Sequence, residues 1–336
     1  MMNLEQKAEK LIKEYNMIDS GDTILVAFSG GSDSSALLFF MIKYLGEHNK
    51  DRIFAAHLNH MIRGKDADSD EKFAVETCAK YNIKIFTEQR NIPEIAKISK
   101  KSVEEAARNE RYDFLKRMAD SIGGNIKIAT AHTASDNTET IIFNLSRGCG
   151  IDGLRGISPV NNNIIRPLLS CSKEDILEYC KKYNIAYAED NSNADEIYTR
   201  NFIRHSIASK LKEKFNGLDE NIFKTTEIMR DTADFLNLCT DNTIKENANE
   251  NGIDVDFLMS QHKTLRRAVI TKLYENAVYP DIKKLEYKHL LYIEDLLENN
   301  YNRKSIDLPG FVTASVFGNK LSFKQVIDKK TSRKRR

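Results

Sequence analysis

The stretch from Thr23 to Ile42 limits what this chain can fold into more than any other. Its first part, Thr23-Ile24-Leu25-Val26-Ala27-Phe28, is short, apolar and β-branched, the composition of a buried strand. Its last part, Ser35-Ala36-Leu37-Leu38-Phe39-Phe40-Met41-Ile42, is longer and almost wholly apolar, which reads as a helix packed on a sheet. Between them stands Ser29-Gly30-Gly31-Ser32-Asp33-Ser34. Such a strand, loop and helix aim backbone N–H groups and the positive end of a helix at one spot, where a phosphate binds. Gly30 and Gly31 let the backbone approach closely, and the serine hydroxyls can donate to phosphate oxygens. The loop is not a P-loop, since no Gly-Lys-Ser/Thr follows, nor a dinucleotide fingerprint, since the third glycine is missing. Composition alone leaves a plain connecting turn as the alternative. A carboxylate inside a phosphate loop repels its ligand unless a cation bridges them, so Asp33 implies Mg²⁺ with the nucleotide.

The same alternation continues along the chain. Residues 3–18 read as an amphipathic helix, Ile53 to Leu58 as a strand, 67–81 as a helix and Ile83 to Thr87 as a strand. Ser102-Val103-Glu104-Glu105 opens a long helix to about Ala119 that carries Arg108 and Arg111 on one face. Ile126 to His132 reads as the next strand, followed by a helix that Ser135 or Asp136 can cap. Repeated strand–helix pairs predict an α/β fold, a doubly wound parallel sheet, whose ligands bind beyond the carboxyl ends of the strands. Three polar clusters fall at such ends: Ser29–Ser34, His57 to Arg63, and His132 to Glu139. His57 and His60 lack a third ligand at a familiar spacing, so a polar strand end is the better reading than a metal site. Arg63 there can meet phosphate. Asp136 and Glu139, three apart, can point the same way.

The run from Asn144 to Gly156 holds four glycines and two arginines, and reads as a flexible loop able to close on a phosphate-bearing substrate. A short strand at Ile164 to Leu169, a helix capped by Ser172 to Asp175, and the polar turn Glu189-Asp190-Asn191-Ser192-Asn193 follow. A further helix bears Arg204 and His205. Asn216-Gly217 marks a break. Beyond it helices are expected over 219–247, 264–278 and 286–299, and a small β-hairpin at the end. This gives a catalytic domain over 1–212, a mostly helical second domain over 213–328, and a basic tail over 329–336.

The balance of 51 basic and 49 acidic residues is no global polycation, so any nucleic-acid surface must be local. No apolar run reaches the roughly 18 residues that span a bilayer, and the N-terminus lacks a signal-peptide core. Five scattered cysteines without a Cys-x-x-Cys pair read as reduced thiols of a cytoplasmic protein.

Taken together, Ser29–Ser34, His57 to Arg63, Ala107 to Tyr112, Ala131-His132 with Asp136 and Glu139, Arg147 to Leu154, Arg166-Pro167-Leu168-Leu169, and Glu189 to Asn193 with Tyr198, Arg200-Asn201 and Arg204 resemble the tRNA(Ile)-lysidine synthetases of the ATP-pyrophosphatase superfamily. The pattern departs at Thr133 and Ser135, where members often carry histidine and aspartate. The resemblance implies ATP-dependent attachment of L-lysine to C2 of the wobble cytidine in a tRNA(Ile) with a CAU anticodon. It implies ATP phosphates on Ser29, Gly30, Gly31, Ser32, Asp33 and Ser34, with His57 and Arg63 at the nucleotide. Metal contacts fall to Asp33 and Asp136, Asp136 being also a candidate for the lysine ammonium. Arg111 and Arg204 are expected to stabilise phosphate or adenylate, and His132 to act as base. In the family the second domain helps hold the tRNA; assembly as a monomer or homodimer is left open. The alternatives are a tRNA thiolase on the same loop, for which Cys149 is the candidate thiol, and a nucleotide-binding RNA-binding protein without catalysis.

Overall fold

The computed structural model describes residues 2–62, 64–188, 199–278, 284–299 and 304–325, apart from the side chains of Glu47, Lys65, Thr199 and Arg200. Arg63, Glu189 to Asn193, Tyr198, the Arg200 side chain, Lys283 and the tail from Lys329 lie outside the described residues. Two compact units divide the chain, Met1–Met229 and Arg230–Arg336.

The first unit begins with α1 (Leu4–Glu14), β1 (Thr23–Ala27), α2 (Ser32–Leu45), β2 (Ile53–Asn59), α3 (Lys65–Tyr81) and β3 (Lys84–Gln89). It continues with α4 (Ile92–Ser99), α5 (Val103–Ile122), β4 (Ile126–Ala129), α6 (Ala134–Ser146) and α7 (Ile151–Leu154). Two short strands, β5 (Val160–Asn161) and β6 (Ile164–Ile165), precede α8 (Lys173–Lys182), α9 (Thr199–Phe202), α10 (Ser209–Lys214) and α11 (Leu218–Asn247), whose residues from Arg230 on belong to the second unit. A π-helical stretch, Ile203–Ala208, joins α9 to α10.

The sheet order is β3-β2-β1-β4-β6-β5. All pairings are parallel except that of the edge strand β5 with β6. The doubly wound sheet is therefore present, with one antiparallel edge. Strand β1 shows why both faces are covered. Ile24 and Val26 pack with α1, α2 and α8 on one side, whereas Leu25 packs with Phe114, Leu115 and Ala119 of α5 on the other. A central strand buried on both faces has to read as an unbroken apolar run, and this one does.

The order reverses between β1 and β4: the chain winds outward from β1 through β2 to β3, then returns to place β4 on the other side of β1. In open α/β sheets such a reversal marks the ligand crevice, here beyond the carboxyl ends of β1 and β4.

The second unit holds β7 (Ala248–Asn249), β8 (Gly252–Asp254), α12 (Val255–Ser260), α13 (Lys263–Ala277) and α14 (Tyr287–Glu298). It ends with β9 (Ser305–Leu308), β10 (Val312–Phe317) and β11 (Lys320–Gln325). The expected hairpin is β10–β11, enlarged to a five-stranded antiparallel sheet in the order β7-β8-β11-β10-β9. Val269, Ile270, Tyr274, Ile293 and Leu297 from the helices meet Ala314, Val316 and Leu321 from the sheet in its core. Glu294, buried on α14, pairs with Arg266 and Arg267 of α13. The hydrogen bond from Arg267 holds its carboxyl below the usual glutamate range.

Candidate active site

The loop after β1 is held in one shape by its own serines. The backbone N–H of Ser29 donates to Ser34 Oγ at 3.2 Å, and that hydroxyl donates to the Gly31 carbonyl at 3.0 Å. Ser35 Oγ donates to the Gly30 carbonyl at 3.2 Å. Gly30 has φ of +89°, and a Cβ there would lie 3.2 Å from the Phe73 ring, so both backbone and space favour glycine. Helices α5, α6 and α8 each begin with a side-chain cap, whereas α2 begins at Gly31 with none. The positive end of α2 is thus left to whatever occupies the crevice.

The far side of the loop is closed by α8 and the chain after it. Lys173 Nζ donates to Asp33 Oδ1 at 2.5 Å and to Ser32 Oγ at 2.8 Å. The Ala188 N–H donates to the Gly30 carbonyl at 2.9 Å. The sequence marks Lys173 only as part of the Ser172–Asp175 helix cap.

Beneath the loop lies His57 on β2, 4 % exposed, with Nδ1 3.0 Å from the Phe28 carbonyl. A carbonyl only accepts, so Nδ1 carries the proton. Burial pulls its pKa down, against the opposing pull of that bond and of the Glu71 and Asp70 charges. The structure thus places His57 as an internal support of the strand end.

The second wall follows β4. Thr133, not Ser135 or Asp136, is the N-cap of α6, and Asp136 completes a capping box with it. Asp136 Oδ2 accepts from the Thr133 N–H and hydroxyl, both at 2.9 Å. Its other oxygen, Oδ1, lies 3.4 Å from Arg204 Nη2. Arg204, reaching in from the π-helical stretch, donates through Nε to Glu139 Oε1 at 2.6 Å. Burial works to lower the Arg204 pKa, but the Glu139 bond and the charges of Glu139, Asp136 and Asp33 hold it above its usual value. Arg204 therefore links the carboxylates of both walls electrostatically. His132 has Nδ1 3.0 Å from the Thr130 hydroxyl. Arg111, on α5, has Nη2 3.4 Å from His60 Nε2, next to the end of β2.

The helix that carries Asp136 is anchored from outside. Ser135 and Thr138 donate to the buried Asp219 at 2.6 and 2.7 Å, and Lys212 pairs with it at 2.7 Å. Ser135 thus faces a carboxylate from α11. Asn137, fully buried, accepts from the Ile157 N–H at 2.8 Å and donates to Thr226 Oγ1 at 3.3 Å. Gly156 has φ of +63°, and a Cβ there would stand 2.2 Å from Asn137 Oδ1. The glycine-rich segment expected to be a flexible loop thus includes α7 and is held at its exit by the Ile157–Asn137 bond. Among the described residues no group of three or more acidic, cysteine or histidine side chains is arranged to hold a metal alone. No described helix is long and apolar enough to cross a membrane.

Residues 1–211 match the PP-loop domain family. The tRNA(Ile)-lysidine synthase of Caldanaerobacter subterraneus subsp. tengcongensis is 35 % identical over 98 % of this chain and 70 % of its own length. That of Clostridioides difficile is 32 % identical over 90 % of this chain and 66 % of its own, and that of Thermotoga maritima 38 % over 69 % and 55 %. The chain thus spans between about half and 70 % of these relatives. The U34-tRNA thiolase NcsA from Methanococcus maripaludis, solved with its 4Fe-4S cluster, is similar at a TM-score of 0.54 and 16 % identity. That likeness covers 68 % of this chain and 78 % of the thiolase, and it shows a shared fold alone. With its serine-braced loop at the β1/β4 crevice and this run of relatives, the chain belongs to the PP-loop domain family and, within it, to the tRNA(Ile)-lysidine synthases.

Proposed function

We propose that this chain is an ATP-dependent ligase that attaches L-lysine to C2 of the wobble cytidine of tRNA(Ile) with a CAU anticodon. The observation that carries this reading is the likeness to a tRNA(Ile)-lysidine synthase over 98 % of the chain. The C2 oxygen of the cytidine attacks the α-phosphorus of ATP, and the bond to pyrophosphate breaks. The ε-amine of lysine then forms a bond to C2, and the former C2 oxygen leaves within AMP. The order is dictated by chemistry, because an amine cannot displace that oxygen until it has become a good leaving group.

The residues have roles that suit these steps. Ser29 to Ser34 cradle the triphosphate with backbone N–H groups, hydroxyls and the uncapped start of α2. Asp33 fits a Mg²⁺ ion, which needs only one or two carboxylates when phosphates and water fill its shell. When bound, that ion neutralises charge on the departing pyrophosphate. Asp136, held by Thr133 at one oxygen and beside Arg204 at the other, is the carboxylate for the lysine ammonium or for a second metal contact. Arg204 and Arg111 balance phosphate and adenylate charge. His132, oriented by Thr130, takes the proton that the ε-ammonium must lose before it can attack. His57 supports the nucleotide loop from within, through Phe28.

One assay tests the reading. Purified protein is incubated with ATP, Mg²⁺, labelled lysine and a tRNA(Ile) transcript, beside a tube containing a labelled sulfur donor. Lysine label on the RNA, with AMP and pyrophosphate in equal amounts, is the expected result. Sulfur label on the RNA would favour the thiolase reading, and no label in either tube would leave only nucleotide and RNA binding.

A further inference from the structure

The loop Ser29–Ser34 contains a carboxylate and no basic residue. A triphosphate laid over it needs positive charge from elsewhere. Lys173 stands 140 positions after Asp33, and its ammonium reaches both Asp33 and Ser32.

Neither helix formation nor stability accounts for a lysine at this position. Lys173 is the first residue of α8, where a cation meets the positive end of the helix dipole and is disfavoured. The helix is started by its neighbours: Ser172 Oγ accepts from the Asp175 N–H at 3.2 Å, and Asp175 Oδ2 accepts from the Ser172 N–H at 2.8 Å. The Lys173–Asp33 pair is open to solvent, with side chains 41 % and 36 % exposed. Such an exposed pair adds little to stability, so it is easily opened.

The base of the lysine, by contrast, is held firmly. Phe39 of α2 packs edge-on against Tyr179 of α8, with ring centroids 6.1 Å apart. Cys180 Sγ lies 3.8 Å from the Ser32 carbonyl. A fixed stem with a rotatable head carrying three donors suits a group that changes partners without the helix moving.

We propose that Lys173 is a substrate-binding residue for the pyrophosphate moiety of ATP, leaving Asp33 for a phosphate oxygen when the nucleotide enters. The exchange moves the ammonium to a more highly charged anion and frees the Asp33 carboxylate. This rests on the reading of Ser29–Ser34 as the triphosphate loop.

The test measures binding of Mg-ATP, pyrophosphate and AMP by calorimetry, without tRNA or lysine, to the wild type and to Lys173→Met, Lys173→Gln and Lys173→Arg. Met and Gln should weaken ATP and pyrophosphate by about ten- to a hundredfold, the range for one charged hydrogen bond, and leave AMP unchanged. Arg should restore most of the ATP affinity. Equal weakening of ATP and AMP would mean that Lys173 only shapes the loop, and wild-type ATP affinity in the Met and Gln variants would mean that it does not touch the nucleotide; either overturns the proposal. A wild type that binds no ATP would overturn the triphosphate reading as well. Normal ATP binding without lysine transfer to RNA would count against the proposed reaction alone.

Discussion

Asp33 is a surface carboxylate whose ion pair with Lys173 is solvent-exposed. Its removal should therefore cost the fold little, since such pairs are worth at most about 1 kcal/mol. Its proposed work is at the phosphates, where loss of one preorganised electrostatic group slows a reaction by about a hundredfold or more. Asp33→Ala is expected to melt within a few degrees of the wild type and to lose lysine transfer almost entirely. Near-normal turnover in that variant would remove Asp33 from the site. The buried polar residues nearby have a different character. Asn137 and Asp219 are buried and fully engaged with neighbours, which suits residues that hold α6 in place.

At the scale of elements, the glycine-rich segment is the best point of attack. Gly156→Ala would place a methyl group 2.2 Å from Asn137 Oδ1 on backbone at φ +63°, and would disturb the Ile157 bond. A loss of about 1–3 kcal/mol is expected, read as a lower melting temperature of the first unit. Unchanged melting would show that the segment adjusts freely. Elements whose signals are local were legible in the sequence. Ser172 and Asp175 cap α8 as expected, and α11, α13 and α14 lie within a residue or two of the apolar periodicity that marks them. The cap of α6 is ambiguous in the sequence because Thr133, Ser135 and Asp136 are all good capping residues, and only geometry chooses Thr133. Strands β7 and β8, two and three residues long, carry too little pattern to be seen, and β8 exists through its pairing with β11. The contact of Lys173 with the loop is invisible in the sequence for the same reason, its partner being 140 residues away.

At the scale of the molecule, the two units are packed around separate sets of buried residues. Ile270 is fully buried in the second. Ile270→Ala should cost about 2–5 kcal/mol there while Mg-ATP binding at the first unit persists. Calorimetry and nucleotide titration together check this, and loss of ATP affinity in a folded variant would show that the units are not energetically separate. The distance along the chain between the loop and Lys173 has a consequence of another kind. The serine–glycine loop leaves the ribosome first, whereas Lys173 and Arg204 are made well over a hundred residues later. On the roles proposed for Lys173 and Arg204, a half-synthesised chain holds the loop without those two cations, and nucleotide turnover is expected only after the remainder of the unit has been translated.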